Sequence, residues 1–322
     1  MVDDLIRGVG LFPSGDVRTR HGLARVAKPG LGLPAPAFPV EQVSVDREVD
    51  FVKLSPTQNM TVLVRTEYPE WEFQDIARKI MAYEHLHAEQ VGFVRKPVSA
   101  SVDSGLRMAG GEFCGNACMA LAVLVAFERN VETGGEVDVV LEAGGVADVV
   151  RCHVVRRYHD YVCRLGVPVP VVVEDRAPAD GVGEVSAFFS YGDSLHVVIE
   201  ARRLDRSARK GAQALARRLA GSRDVCLVGV MLYEPDANRL TPLVHVPSLG
   251  SMVWERGCGS GAASLGAYLA RKHNASVVAD VVQPGGAMRV RADYERGRVT
   301  GIEVEGSVRI VAEGKAYLPA GD

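Results

Sequence analysis

The sequence predicts two similar α+β domains with a cleft between them, because one order of elements occurs twice. In each half, a strand candidate and an amphipathic helix precede a cysteine, an apolar helix and a Gly-Gly hairpin. The spacing also repeats, with 30 residues from Cys114 to Gly144 and 27 from Cys258 to Gly285. A repeated order of several elements indicates a duplication far more strongly than one matched dipeptide does.

The elements of the first copy begin near Phe51. The apolar run 118–127 after Cys114 predicts a helix enclosed by sheet. One face of an earlier helix is marked by apolar residues at helical spacing, namely Phe73, Ile76, Ala77, Ile80 and Met81. The expected strands of this copy are 61–65, 137–141 and 149–155.

The second copy repeats this order after the middle of the chain. A helix rich in Ala and Gly is expected from Cys258 to about residue 273. An earlier amphipathic helix has its apolar face at Ala208, Ala212, Leu215 and Leu219. The expected strands of this copy are 196–199, 277–282 and 288–292.

The composition excludes several classes of protein. A net charge of −3 over 322 residues, without a long basic stripe, gives no reason to expect a nucleic-acid partner. The longest apolar run, at 117–127, has eleven residues and is too short to span a membrane, and the acidic N-terminus does not resemble a signal peptide. We therefore expect a cytoplasmic protein with reduced thiols, in which Cys152, Cys163 and Cys226 are small buried hydrophobic residues.

The matched cysteines predict proton transfer at a carbon atom. Each would lie at a helix N-terminus, where the helix dipole favours a thiolate and free N–H groups bind a carboxylate. A thiolate on one face of an amino acid would remove the α-proton, and a thiol on the other face would return one. The residues after each cysteine, Gly115, Asn116, Gly259 and Ser260, are small enough for the backbone to approach the ligand.

No metal or cofactor is expected from these motifs. Cys114 and Cys118 form a Cys-x-x-x-Cys pair, but no second Cys/His pair with convincing spacing follows, so zinc is not expected. The Gly-rich segments lack the lysine of a phosphate-binding loop and do not match a dinucleotide fingerprint. The ligand expected from the sequence is a small amino acid.

From Phe51 onward the motifs resemble the diaminopimelate epimerase family, cofactor-independent amino-acid racemases with two cysteines. The resemblance rests on four motifs: Cys-Gly-Asn-Ala at Cys114, Cys-Gly-Ser-Gly-Ala at Cys258, Glu-Arg-Gly at 255–257 and Pro-Gly-Gly at 284–286. The resemblance implies catalytic roles for Cys114 and Cys258. It implies substrate binding by Asn59, Glu255, Arg256 and, through the Gly-Asp-Ser-Leu-His segment, His196.

The family fold would make each domain a curved, mostly antiparallel sheet around a central helix. The domains would then comprise an arm at 1–48, a first domain at 49–134 plus 307–322, and a second domain at 135–306. The resemblance also implies a homodimer.

The Gly-Gly-Glu-Phe-Cys-Gly-Asn-Ala stretch at 110–117 resembles a divergent branch of the family that contains histidine racemases of opine-type metallophore pathways. Gly257 is followed at once by Cys258, without the longer loop of diaminopimelate epimerases. Met108 stands near the position where those enzymes hold the distal carboxylate of the substrate with an asparagine. The leading hypothesis is a racemase of one amino acid such as L-histidine, with diaminopimelate epimerase as the alternative and a hydroxyproline-type isomerase behind it.

Two hypotheses that assign the chain to other classes of protein stay open at this point. A Cys/His hydrolase would use Cys258 as nucleophile with His196 or His245 as base, but it would leave the second cysteine motif unexplained. A ligand-binding protein would keep the cleft without turnover, although it would not need two thiols.

Overall fold

A computed structural model describes residues 47–174, 177–179, 183–201 and 204–319, so the expected arm at 1–48 lies almost wholly outside the described residues. The described part contains four α-helices. They are α1 (Phe73–Met81), α2 (Gly115–Glu128), α3 (Arg206–Ser222) and α4 (Gly259–His273).

The described residues also form seventeen strands. The first nine are β1 (Arg47–Pro56), β2 (Thr61–Val64), β3 (Gln90–Arg95), β4 (Ser104–Met108), β5 (Glu136–Ala143), β6 (Val150–Arg156), β7 (Tyr161–Gly166), β8 (Val171–Glu174) and β9 (Ala177–Ala179). The other eight are β10 (Gly183–Tyr191), β11 (Ser194–Glu200), β12 (Leu227–Glu234), β13 (Arg239–Val246), β14 (Ser251–Trp254), β15 (Val277–Gln283), β16 (Gly286–Glu295) and β17 (Arg298–Leu318). The mixed α+β class predicted from the sequence is confirmed.

The strand pairing repeats along the chain. In the first half, β2 and β3 are parallel across α1, β3 and β4 are antiparallel, and β4 and β5 are parallel across α2. In the second half, β11 and β12 are parallel across α3, β12 and β13 are antiparallel, and β13 and β15 are parallel across α4. Each set ends in antiparallel strands, β5–β6–β7 and β15–β16–β17. Apart from the additional strand β14 in the second half, the order of elements is therefore the same in both halves.

Two strands pass from one half to the other. The long strand β17 pairs first with β16, then with β7, and finally with β1. The segment after β7 does the reverse, since β8 pairs with β10 of the second half. The described residues belong to one compact unit, and the domain boundaries expected at 134/135 and 306/307 stay a prediction.

Each half encloses one of the two cysteine-capped helices. Helix α2 is buried on every side from Gly115 to Ala126, as its apolar sequence predicts, and it contacts β1, β2, β5, β6 and β7. Helix α4 buries mostly Ala, Gly and Leu against β15, β16 and β17. Both helices belong to one continuous apolar core, which fixes their N-termini rigidly.

Among the described residues, no helix is long and apolar enough to cross a membrane.

Candidate active site

Cys114 and Cys258 occupy equivalent positions, each as the N-cap residue of its helix. Their backbone angles nearly coincide, with φ −132° and ψ 109° at Cys114 and φ −127° and ψ 108° at Cys258. Each Sγ accepts a hydrogen bond from the third residue of its helix, from Ala117 N at 3.4 Å and from Gly261 N at 3.3 Å. The two thiols therefore have the same local geometry.

The two helix N-termini meet through the side chain of Asn116. Its Nδ2 donates to the carbonyl of Gly257 at 2.8 Å, and its Oδ1 accepts from the backbone N–H of Gly259 at 3.1 Å. A Cβ at position 259 would lie 3.1 Å from that same Oδ1, so glycine permits the close approach. Asn59 donates to the same Gly257 carbonyl at 3.0 Å. Asn116 thus joins the first cysteine loop to the second.

Gln283 holds the second cysteine loop from the other side. Its Oε1 accepts from the backbone N–H of Cys258 at 2.7 Å, and its Nε2 donates to the Cys258 carbonyl at 3.3 Å. Gln283 is buried, so these bonds are shielded from water. The glutamine of the Gln-Pro-Gly-Gly hairpin thereby fixes the backbone that carries the thiol.

A chain of polar contacts connects the two thiols. The Cys114 thiol donates to Gln90 Oε1 at 2.7 Å, and Gln90 Nε2 donates to Glu255 Oε1 at 2.7 Å. The Glu255 carboxyl group in turn interacts with the Cys258 thiol, which raises the pKa of that thiol. Gln90 and Glu255 therefore hold both sulfur atoms in one connected network.

Both thiols line a single cavity, which we call the central cavity. The residues after the cysteines, Gly115, Asn116, Gly259 and Ser260, also line it. Three carboxyl groups face this space, and no lysine, arginine or histidine is among the described residues that line it. Its apolar wall consists mainly of Met81, Val91, Met108, Val246, Leu249 and Val253. The lining of the central cavity therefore combines carboxyl groups with apolar side chains.

The three carboxyl groups belong to Glu89, Glu112 and Glu255, and each has a buried Oε2 without a hydrogen-bond partner. Burial raises the pKa of Glu112 to about 7, and the nearby Asp193 and Glu255 add to the shift. Burial and the charge of Glu255 raise the pKa of Glu89 to about 7 as well. Burial also raises the pKa of Glu255. An unpartnered buried carboxylate is costly, which favours a cationic or N–H-donating ligand here.

The thiols do not follow the expectation that a helix N-terminus favours a thiolate. Burial raises the pKa of Cys114 and raises that of Cys258 well above its ordinary value. The helix N–H groups at Ala117 and Gly261 act in the opposite direction but do not offset the burial. Burial outweighs the helix N-terminus, because a thiolate here would lose its hydration and face nearby carboxyl groups.

Not every residue predicted for the site faces the central cavity. Glu255 lines it, whereas Asn59 does not and donates to the Gly257 carbonyl, next to Cys258 in the chain. Arg256, in contrast, is exposed and donates to Gln58 Oε1 at 3.0 and 2.7 Å and to the Pro284 carbonyl. Its side chain supports the loop from outside.

His196 lies beside the central cavity and does not line it. It is 2% exposed, and its Nδ1 is 2.8 Å from Ser264 Oγ on α4. With Tyr191 and Ser260 it lines a small separate cavity. Burial lowers the pKa of His196 to about 4, so this histidine is neutral at physiological pH. His245 contacts the Ser251 carbonyl with its Nδ1, at 2.7 Å. Neither histidine is placed as the base that the hydrolase reading requires.

The sequence did not identify Glu89, Gln90, Glu112 or Gln283 as site residues. Glu89 precedes β3 and Gln90 is its first residue. In the sequence, two polar residues at this place look the same as residues of a loop. Glu112 was visible only as part of the Gly-Gly-Glu-Phe-Cys motif, and its position two residues before the cysteine was the available signal.

Comparison with solved structures identifies the fold. A hydroxyproline epimerase from Agrobacterium vitis with bound trans-4-hydroxy-L-proline aligns with a TM-score of 0.64 and 13% identity, covering 85% of this chain and 93% of that one. A probable proline racemase from Agrobacterium radiobacter K84 aligns with a TM-score of 0.62 and 11% identity, covering 83% and 92%. The fold is that of the racemases and epimerases of amino acids.

Comparison with known sequences is more specific. Residues 48–317 match the family model described as histidine racemase CntK N-terminal domain. A histidine racemase from Staphylococcus aureus is 30% identical over 279 residues, covering 84% of this chain and 98% of the relative. One from Fusobacterium nucleatum is 27% identical over 281 residues, covering 85% and 99%. The chain belongs to the histidine racemase family, and it is an isomerase that acts as an amino-acid racemase.

Proposed function

We propose that the protein racemises L-histidine with Cys114 and Cys258 as the acid–base pair and, as the family resemblance implies, without a cofactor. One sulfur, as thiolate, takes the α-proton, so that a Cα–H bond breaks and an S–H bond forms. The opposite thiol gives its proton to the other face of the carbon, where a new Cα–H bond forms. The equivalent N-cap positions of the two cysteines support a reaction that runs in both directions.

The converging helix N-termini suit the substrate carboxylate. Removal of the α-proton leaves a carbanion whose charge spreads onto that carboxylate. Free N–H groups in the first turns of α2 and α4 stabilise this charge where it develops. The small residues Gly115 and Gly259 leave room for the carboxylate beside the backbone.

The acidic lining of the central cavity is the observation that favours histidine as the substrate. Histidine brings an ammonium group and an imidazole, which match three carboxyl groups and an apolar wall. Diaminopimelate would bring a second carboxylate into a cavity where no cationic residue is among the described lining. Met108, in the apolar wall, offers no hydrogen bond to such a carboxylate. The names of the curated relatives support the same substrate.

The finer structural expectations belong to the same proposal. The two repeated sets of strands and helices correspond to the two domains of a diaminopimelate epimerase-like fold, with the thiols at their junction. A homodimer, a cytoplasmic location and a role in metallophore biosynthesis stay predictions. Light scattering of the purified protein measures the oligomeric state directly.

The experiment is proton exchange in heavy water, followed by NMR at the α-proton of a panel of L-amino acids in the presence of reductant. Exchange with histidine, and formation of D-histidine, is expected. Exchange with diaminopimelate alone would overturn the proposal that histidine is the substrate. Cys114→Ala and Cys258→Ala should each abolish racemisation, whereas Cys226→Ala, outside the central cavity, serves as the control. Full activity in either of the first two variants would overturn the two-thiol mechanism.

A further inference from the structure

Glu112 is a buried carboxyl group for which the proton-transfer chemistry has no use. It is 6% exposed and lines the central cavity two residues before Cys114. Its Oε2 has no hydrogen-bond partner. A buried carboxylate oxygen without a hydrogen-bond partner lowers stability more than an exposed one does. A ligand that donates a hydrogen bond to this oxygen is therefore bound more tightly.

The structure makes room for this carboxylate in the apolar part of the cavity. A Cβ at Gly110 would lie 2.4 Å from Glu112 Oε2 and 3.0 Å from Val246 Cγ1. The oxygen atom and the valine methyl group are therefore neighbours above the same glycine. A flat ring that packs on the apolar wall around Val246 brings its edge toward Glu112.

The other carboxyl groups of the cavity have different surroundings. Glu255 is tied to Gln90 at 2.7 Å and to the thiol of Cys258, next to the reacting carbon. Burial raises the pKa of Glu89, and the nearby exposed Arg256 offsets part of this rise. Glu112 has no such cationic or amide side chain beside it among the described contacts, and its charged neighbours are Asp193 and Glu255. It is the carboxyl group best placed for the side chain of the substrate.

We propose that Glu112 is the specificity-determining residue that accepts a hydrogen bond from a ring N–H of the substrate side chain. This inference rests on the proposed function. It explains why a carboxyl group stands in an otherwise apolar wall. A site built to accept such an N–H rejects an analogue without it, because the carboxylate is then left unpartnered.

The test compares histidine with 3-(2-thienyl)alanine, which has a flat ring of similar size without an N–H group. The wild-type protein should exchange the α-proton of histidine with a kcat/KM at least about 100-fold above that of the thienyl analogue. Glu112→Gln should lower kcat/KM for histidine roughly 10- to 100-fold. Its kcat/KM for the thienyl analogue should equal or exceed that of the wild type, since that ring loses no bond and no longer leaves a buried carboxylate unpartnered.

Controls separate recognition from folding. Glu132→Gln makes the same change of charge on the exposed surface and should alter neither substrate's rate. Gly110→Ala should displace the carboxylate and lower the preference for histidine in the same way. The proposal would be overturned if Glu112→Gln lowered kcat/KM equally for both substrates. It would also be overturned if the wild-type protein had nearly the same kcat/KM for both. Failure of the wild-type protein to exchange histidine, while it exchanges another amino acid, would instead overturn the proposed function.

Discussion

The thiol of Cys114 donates to Oε1 of Gln90 at 2.7 Å, although the two residues belong to different elements, the N-cap of α2 and the first position of β3. The amide of Gln90 then donates to Glu255, which contacts the second thiol. A residue that neither accepts nor gives the α-proton thus orients one sulfur and anchors the carboxyl group beside the other.

Replacement of Gln90 by leucine tests this connection. Gln90→Leu removes the acceptor of the Cys114 thiol and leaves Glu255 Oε1 without its amide donor. We expect racemisation to fall about 10- to 100-fold, because each lost bond involves a buried group next to a reacting atom. Initial rates by circular dichroism measure the effect. Gln213→Leu on α3, outside the cavity, is the control, and equal activity of both variants would remove Gln90 from the network.

Replacement of Cys114 by serine tests whether each thiol acts on one face of the substrate. In Cys114→Ser the hydroxyl group is a far weaker acid than a thiol, while Cys258 is unchanged. We expect racemisation to fall at least about 100-fold, with slow exchange of the α-proton retained for one enantiomer only. Separate NMR exchange experiments on L- and D-histidine measure this asymmetry. Equal residual exchange of both enantiomers would contradict the assignment of one thiol to each face.

Asn116 should contribute to stability as well as to the site. Asn116→Ala leaves the buried N–H of Gly259 without its acceptor and takes one donor from the Gly257 carbonyl. We expect the free energy of unfolding to fall by about 2–4 kcal/mol. Urea unfolding of the wild type and the variant measures the loss, and a change below about 0.5 kcal/mol would argue against these bonds.

Stability should decrease with rising pH because of the buried acids. The pKa of Glu112 is raised to about 7 from an ordinary value of 4.5, chiefly by burial, with Asp193 and Glu255 nearby. A raised folded-state pKa gives stability that is complete below pH 4.5 and is lost as the pH rises through 7.

Glu112→Gln removes this titration. The variant should be about 1–3 kcal/mol more stable than wild type at pH 8 and nearly equal to it at pH 4.5. Thermal unfolding across this range measures the difference. A pH-independent difference would show that the effect is not electrostatic, and Glu132→Gln provides the surface control. The titration of Glu89, with its pKa also near 7, should remain in the variant.

Oxidation should inactivate the empty protein. The two thiols line one cavity, and movement of their loops toward each other would permit a disulfide between Cys114 and Cys258. Activity should fall with a mild oxidant and return with reductant, and histidine should protect. Peptide mapping identifies the bridge. Absence of a Cys114–Cys258 bridge from the inactivated protein would assign the loss to another residue.

The sequence predicted the helices well because their signals are local. The helix expected from Cys258 to about residue 273 is Gly259–His273, and the apolar face at Phe73, Ile76, Ala77 and Ile80 is buried as its spacing indicates. These elements follow from periodicity and capping, which are properties of neighbouring residues.

The electrostatics of the site could not be predicted in the same way. The pKa of each cysteine depends on burial by distant strands and on carboxyl groups such as Glu112 and Glu255, not only on its own helix. Gln90 reaches Cys114 only because β3 packs beside the loop before α2. His196 was predicted from a motif, yet its ring turns toward Ser264 and the separate cavity.

The exchange of strands between the halves has a consequence for biosynthesis. Strand β1 has its partner in the distal part of β17, so the sheet around α2 stays incomplete until nearly the whole described chain has been made. The second sheet likewise needs β8, which directly follows the strands of the first. Contacts of such long sequence separation slow folding. Neither cysteine-capped helix should therefore be fully enclosed on the ribosome before the other, and the two cysteine loops should mature together after release.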